Sequence, residues 1–358
     1  MANNRDNRMK RSLYFIGALD YPNVPQAGDA VKNRFLLDYF RKELDEVSYT
    51  DTQNWRMNPL ILLNVLWKLL FCRFDNIVIS TSNVSAYRMV RLTTSLHLKS
   101  RIYYFMIAGY TPIKIREGIY KAEPFHKLER IVVEADKVKE LYHNVGIDNT
   151  YRLYNFKPVL YVPDINEKHD GKLRFVFLSR LTELKGVFHI LESVRALNAS
   201  GLEHLYEVDF YGRIDSDIEK RFLTEVEPLT NVCYKGFLDL NHADGYKVLA
   251  GYDAMLFPTM HPTEGFPGVI ADAAIAALPV IASNWQYAEE IIGDGRCGML
   301  FPAGDNDALT QKIQAVIKDR SILEPMRKNA LERSSMYDIK KVLSKKLIED
   351  LKMDEKVY

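Results

Sequence analysis

The sequence predicts an α/β protein made of two doubly wound domains facing each other across a cleft. Short apolar runs alternate with helix-patterned segments along the whole chain, as consecutive βαβ units require. At 358 residues, 47% of them hydrophobic, the chain can fill two cores. A polar, proline-containing connector at 155–171 divides the alternation into halves.

In the first half, residues 13–17, 76–80, 102–107 and 130–134 read as strands, and helical patterns occupy 30–43, 59–71, 86–98 and 137–144. In the second half the strand-like runs are 174–179, 207–211, 232–234, 254–257 and 279–282. The expected domains are 1–162 and 163–337, with a helical segment at 338–358 that can return to the first domain. Sheets of this kind bind ligands beyond the carboxyl ends of their strands. The glycines after the first strand are too widely spaced for a G-x-G-x-x-G fingerprint, so a nicotinamide or flavin dinucleotide has little support.

Net charge is +1 overall, yet +8 over residues 1–160 and −7 over 161–358. A basic first half suits a polyanionic or membrane-surface partner, and two ordinary domains that differ by chance explain it equally well. The three cysteines, Cys72, Cys233 and Cys297, are far apart and form no CxxC, which argues against a disulfide framework or a zinc site. The N-terminal apolar run resembles a first strand rather than a signal peptide, and the longest apolar run, 59–71, is too short to span a bilayer. A cytoplasmic protein, at most peripheral to a membrane, is expected, with no nucleic-acid partner.

Chemistry concentrates in residues 257–285, FPTMHPTEGFPGVIADAAIAALPVIASNW. They read as strand, glycine-rich turn, helix and strand, with Glu264 before the helix and Asp272 inside it. Pro267 suits the start of a helix. N–H groups there lack intrahelical partners and carry partial positive charge, so phosphate is well held. Gly265 and Gly268 let a ligand approach the backbone closely. The helix is apolar nearly all round, so Asp272 is buried and needs a partner, which a ribose diol would supply. Glu264 as a cap and Asp272 as a solvated helix residue is the blander alternative. In FVFLSRLTELKGVFHI, residues 175–190, a strand ends at Ser179, and Arg180 and Lys185 follow. Guanidinium and ammonium groups at a strand's carboxyl end suit a diphosphate; taken alone, they would read as a solvated loop.

With these motifs the chain resembles family 4 of the retaining glycosyltransferases, which have two Rossmann-like domains in the arrangement called GT-B. The resemblance rests on SRLTELKG (179–186), VDFYG (208–212), NVCYKGF (231–237), EGFPGVIADAAIAALPVIAS (264–283) and GDGRCGMLFPAGDNDAL (293–309). It covers 172–335 and is looser over 12–160, where YYFMIAGYTP and GDAVKNRFLL are similar to bacterial polysaccharide members. It implies that Glu264 contacts the transferred sugar and Asp272 the ribose. Arg180 and Lys185 would hold the diphosphate, aided by backbone N–H groups of Phe266 and Gly268. Gly212, Gly236 and Phe237 would line the base pocket. The family pattern has Glu where this chain has Asp272, and many members carry a His where 106–110 reads MIAGY, so Ala108 and Gly109 would line that part of the site.

A front-face mechanism needs neither a protein nucleophile nor a dedicated base, because the leaving phosphate takes the acceptor's proton. No metal or other cofactor is expected, and Asp215-Ser216-Asp217 reads as a polar loop rather than a metal site. The implied donor is a nucleotide-diphosphate sugar, by resemblance a UDP-sugar. The implied acceptor is a glycan or a polyprenyl-linked oligosaccharide in capsular or exopolysaccharide assembly. Lys32, after Gly28, is a candidate phosphate contact. Residues 58–73, together with the basic stretch 83–130, suit anionic headgroups, although a core-facing helix is the plainer reading of 60–70. A catalytically silent nucleotide-sugar-binding subunit and a sugar-nucleotide epimerase are the competing functions.

Overall fold

The structure, a computed structural model, describes residues 11–19, 28–55, 57–81, 83–107, 109–165 and 171–355. Ala108 lies outside the described residues. The chain divides into two compact units, Met1–Leu153 with Val342–Tyr358, and Tyr154–Lys341. The first division thus falls ahead of residue 162.

Unit 1 holds a six-stranded parallel sheet of β1 (Ser12–Gly17), β2 (Glu46–Asp51), β3 (Asn76–Ser80), β4 (Arg101–Phe105), β5 (Arg130–Val133) and β6 (Thr150–Arg152), ordered β2-β1-β3-β4-β5-β6. The central strands β1 and β3 are apolar and buried along nearly their whole length, as expected of a parallel sheet covered on both faces. The sequence pattern misses β2 and β6 because both are edge strands, one polar (EVSYTD) and one only three residues long. The C-terminal segment is not one helix over 338–358 but two short ones, Ile339–Val342 and Lys345–Asp350. Its last residues are fastened to unit 1 through Tyr103 Oη to the Leu351 carbonyl at 2.7 Å and Asn76 Nδ2 to the Met353 carbonyl at 3.1 Å.

Helix Leu60–Phe71 overturns the core-facing reading. Only Val65 and Leu69 are buried. Leu60, Leu63, Trp67, Leu70 and Phe71 are each more than half exposed.

Unit 2 holds the second parallel sheet, β7 (Leu173–Leu178), β8 (Tyr206–Tyr211), β9 (Val232–Gly236), β10 (Ala254–Phe257), β11 (Val280–Ser283) and β12 (Gly298–Phe301), ordered β12-β11-β10-β7-β8-β9. Its core gathers Phe175, Phe177, Phe210, Phe222, Leu256 and Ile281. Burying each such side chain contributes about 1.5–3 kcal/mol, and Phe210 and Phe222 meet edge to face with centroids 5.2 Å apart. Strand order reverses between β7 and β10. In a doubly wound sheet that switch point opens a crevice beyond the strand ends. Arg180 follows β7 and Glu264 follows β10, so the topology itself brings the two sequence motifs together.

Candidate active site

Beyond β7 the chain closes a tight turn. Thr182 Oγ1 accepts from the Lys185 N–H at 3.2 Å and caps the 3₁₀ turn Glu183–Lys185. Gly186 follows with φ +78°, where a Cβ would stand 2.1 Å from the Pro258 carbonyl oxygen. Only glycine lets this turn pass under the exit of β10. The Met260 N–H donates to the Leu184 carbonyl at 2.7 Å and fastens the two exits to each other.

That closeness places Lys185 Nζ 2.5 Å from Glu264 Oε2, with both side chains largely buried. Thr259 Oγ1 donates to the same carboxylate oxygen at 2.9 Å. The ammonium also lies 5.2 Å from the centre of the Phe257 ring. Sequence reasoning names Lys185 and Glu264 separately; the structure makes them one ion pair.

After Glu264 the loop is gripped by its carbonyls. Trp285 Nε1 donates to the Gly265 carbonyl at 3.1 Å, and Asn155 Nδ2 to the Phe266 carbonyl at 3.0 Å. The Phe266 ring is buried edge-on against Tyr337. Pro267 is the cap rather than the first helical residue, in an extended conformation with φ −64° and ψ 126°, and the helix runs Gly268–Ile275.

Asp272, one turn into that helix, is only 1% exposed. The expected burial is present, and the partner is supplied within the chain. Tyr246 Oη donates to Asp272 Oδ1 at 2.7 Å, and Lys157 Nζ lies 3.0 Å from Oδ2. Burial first, and the Asp272 charge second, push the Tyr246 phenol far above its ordinary value. Sequence reasoning missed Lys157 and Tyr246. One sits in the connector and the other on a separate helix, Ala243–Ala250, so no local spacing links either to Asp272.

The remaining predicted residues divide by unit. In unit 2, Arg180 is exposed and faces Asp215 at 3.9 Å, an acid that Arg213 also approaches at 3.9 Å. Asp215 therefore lies between two guanidiniums, and among the described residues no acid, His and Cys cluster suits a metal. Gly212 has φ +132°, and a Cβ there would stand 1.8 Å from the Ser179 carbonyl oxygen. Its N–H donates to the Gly236 carbonyl at 2.7 Å, which brings the ends of β8 and β9 together. Phe237 projects from this corner, exposed. In unit 1, Gly109 is buried just ahead of helix Thr111–Arg116. Lys32 is nearly buried and lies 2.5 Å from Glu134 Oε1. It therefore belongs to an ion pair that the sequence spacing does not reveal.

Residues 162–333 match the family model described as glycosyl transferases group 1. The amylovoran biosynthesis glycosyltransferase AmsK of Erwinia amylovora is 29% identical over 141 residues, 38% of this chain and 34% of that protein. The capsular polysaccharide biosynthesis glycosyltransferase CapM of Staphylococcus aureus is 24% identical over 209 residues, 58% of this chain and 47% of that protein. The chain thus spans half or less of these curated relatives. Among solved structures, HepE from Anabaena, crystallised with UDP and glucose, superposes with a TM-score of 0.68 at 15% identity over 96% of this chain and 99% of that one. This likeness shows the fold, two parallel six-stranded sheets of the GT-B class. The segment 162–333, in which the Arg180, Lys185 and Glu264 loops meet at the sheet reversal, is thus similar to the group 1 glycosyl transferases.

Proposed function

We propose that this protein is a glycosyltransferase of capsular or exopolysaccharide assembly. It moves a sugar from a nucleotide-diphosphate sugar, a UDP-sugar by preference, to a glycan or polyprenyl-linked acceptor with retention of configuration. The observation that carries this reading is the Lys185–Glu264 pair at the reversal point of the second sheet, 2.5 Å apart. An ammonium has three donors. With one committed to Glu264, two remain for diphosphate oxygens, so one group can bridge the acid beside the sugar and the departing phosphate. Arg180, exposed on the same loop and sharing Asp215 with Arg213, can swing toward the outer phosphate. Negative charge grows on the diphosphate as the anomeric bond breaks, and preorganised cations stabilise it there. The leaving phosphate then accepts the acceptor's proton. Neither a metal nor a protein nucleophile enters this scheme.

A thermal-shift panel of nucleoside diphosphates and nucleotide sugars tests the reading. A ligand present at about 100 times its dissociation constant adds roughly 2.7 kcal/mol to stability. Absence of any stabilisation across UDP, GDP, ADP and their sugars rejects it. Binding without transfer to any lipid-linked or glycan acceptor would favour a silent subunit, and isomerisation of the donor without acceptor would favour an epimerase.

We also propose that unit 1 meets an anionic membrane surface through helix Leu60–Phe71. Its outward apolar stripe supports this, with Trp67 and Phe71 rings 6.3 Å apart and no acid along the helix. No helix among the described residues is long and apolar enough to cross a membrane, so the contact would be peripheral, at the cytoplasmic face. Sedimentation with phosphatidylglycerol vesicles should fall several-fold in Leu63→Gln/Trp67→Gln. Equal sedimentation of the variant and the parent would refute the contact.

A further inference from the structure

A carboxylate as deeply buried as Asp272 must have its charge answered inside the protein. Two groups do so, and they are unlike. Tyr246 is a neutral donor in the core, whereas Lys157 is a cation whose side chain keeps 23% of its surface accessible.

Lys157 is also held from behind. Its N–H donates to the Tyr337 carbonyl at 2.9 Å, and its own carbonyl accepts from the Ile339 N–H at 3.0 Å. Tyr337 is fully buried, and its hydroxyl accepts from Arg333 Nε at 2.8 Å. The ammonium is therefore delivered from a backbone fixed by a single parallel bridge to Asp338. It lies over the first residue of helix Gly268–Ile275. A Cβ on Gly268 would stand 3.3 Å from Lys157 Cε and 3.7 Å from Nζ.

A cation beside the positive end of a helix is electrostatically unfavourable unless anions balance it. Asp272 supplies one negative charge for Lys157, as Glu264 does for Lys185, while Arg180 and Arg213 share the single charge of Asp215, so one guanidinium charge and the helix terminus are left in excess. A diphosphate meets that excess. The length of the acid matters too. Asp272 is shorter than the Glu of the family pattern by about 1.5 Å, which leaves room for the ammonium between the carboxylate and the helix terminus.

We propose that Lys157 is a donor-binding residue, whose ammonium contacts the diphosphate of the nucleotide. Asp272 acts through it as a positioning residue instead of binding ribose hydroxyls itself. This rests on the donor reading above.

The test is isothermal titration of whichever of UDP, GDP and ADP the wild type binds, with the matching monophosphate and nucleoside. Lys157→Met should weaken the diphosphate about tenfold or more, the strength of a charge-assisted contact, and the nucleoside less than about threefold. Lys157→Met/Asp272→Asn removes both charges of the pair and guards against loss of fold. It should bind the diphosphate as weakly as the single variant. Recovery to wild-type affinity in the double variant would mean that Lys157 merely neutralises Asp272, and would overturn the proposal. So would a Lys157→Met protein that binds the diphosphate normally, with the donor reading left standing. A wild type that binds no nucleoside diphosphate would overturn both.

Discussion

Gly186 shows how much one residue can fix. It sits at φ +78° with the Pro258 carbonyl oxygen where its Cβ would be, so Gly186→Ala must adopt a disfavoured backbone and also push β10's exit away. The expected cost is about 1–3 kcal/mol, measured as a lowered urea midpoint with an unchanged slope. Because the same displacement separates Lys185 from Glu264, donor binding should weaken as well. An alanine variant with wild-type stability would contradict the geometry. Glu264 gives a complementary prediction. Glu264→Gln keeps a hydrogen-bonding group for Lys185 and Thr259, so the fold and nucleotide binding should survive while transfer falls at least about a hundredfold. Glu264→Ala leaves the ammonium without a partner, at a further expense of about 1–3 kcal/mol in stability. The sequence displays the residue types of this site, but not the pairing. Lys185 and Glu264 are 79 positions apart, and only the strand order β10-β7 explains why they touch.

Helices and strands were legible in proportion to how apolar their surroundings are. The buried runs β1, β3, β7 and β10 announce themselves as unbroken hydrophobic stretches, because a covered parallel strand has no solvated face. The edge strands β2 and β6 do not, since one face or one side meets water. Helix Leu60–Phe71 is the instructive failure. A run such as LILLNVLWKLLF fits a core helix and a surface-seeking helix alike, and only the packing of Val65 and Leu69 says which stripe faces inward. Leu69→Ala should therefore destabilise by about 2–5 kcal/mol, whereas Leu70→Ala, one residue on and exposed, should change stability by less than about 0.5 kcal/mol. Chemical denaturation of the two variants checks this orientation without any membrane present. Equal losses would mean that both stripes are covered.

Across the whole molecule the aromatic content becomes a pH liability. Of 21 tyrosines, many have their hydroxyls inside. Burial pushes Tyr14 in unit 1 and Tyr206 in unit 2 up to about 12, in each case as the largest cause, with the Thr50 and Asn231 side chains pulling the other way. Tyr39, Tyr103, Tyr104 and Tyr287 are driven further by the same burial, and Tyr252 further still, with Asp209 and Tyr211 beside it. A phenol whose folded pKa exceeds its unfolded value of about 10 favours the native state fully below pH 10. Between pH 10 and the folded value the unfolded chain releases its proton and the folded chain does not, so stability falls as pH rises. Each tenfold difference in acidity is worth about 1.4 kcal/mol, against a total stability of about 5–15 kcal/mol. Several such phenols, spread over both units, are enough to exhaust it. Tyrosinate absorbance and far-ultraviolet circular dichroism should therefore change together in a steep alkaline transition above pH 10, with the buried phenols ionising only as the sheets are lost. A gradual titration of all the tyrosines near pH 10 with the dichroism intact would show that these hydroxyls are open to solvent, and the packing of both cores would have to be redrawn.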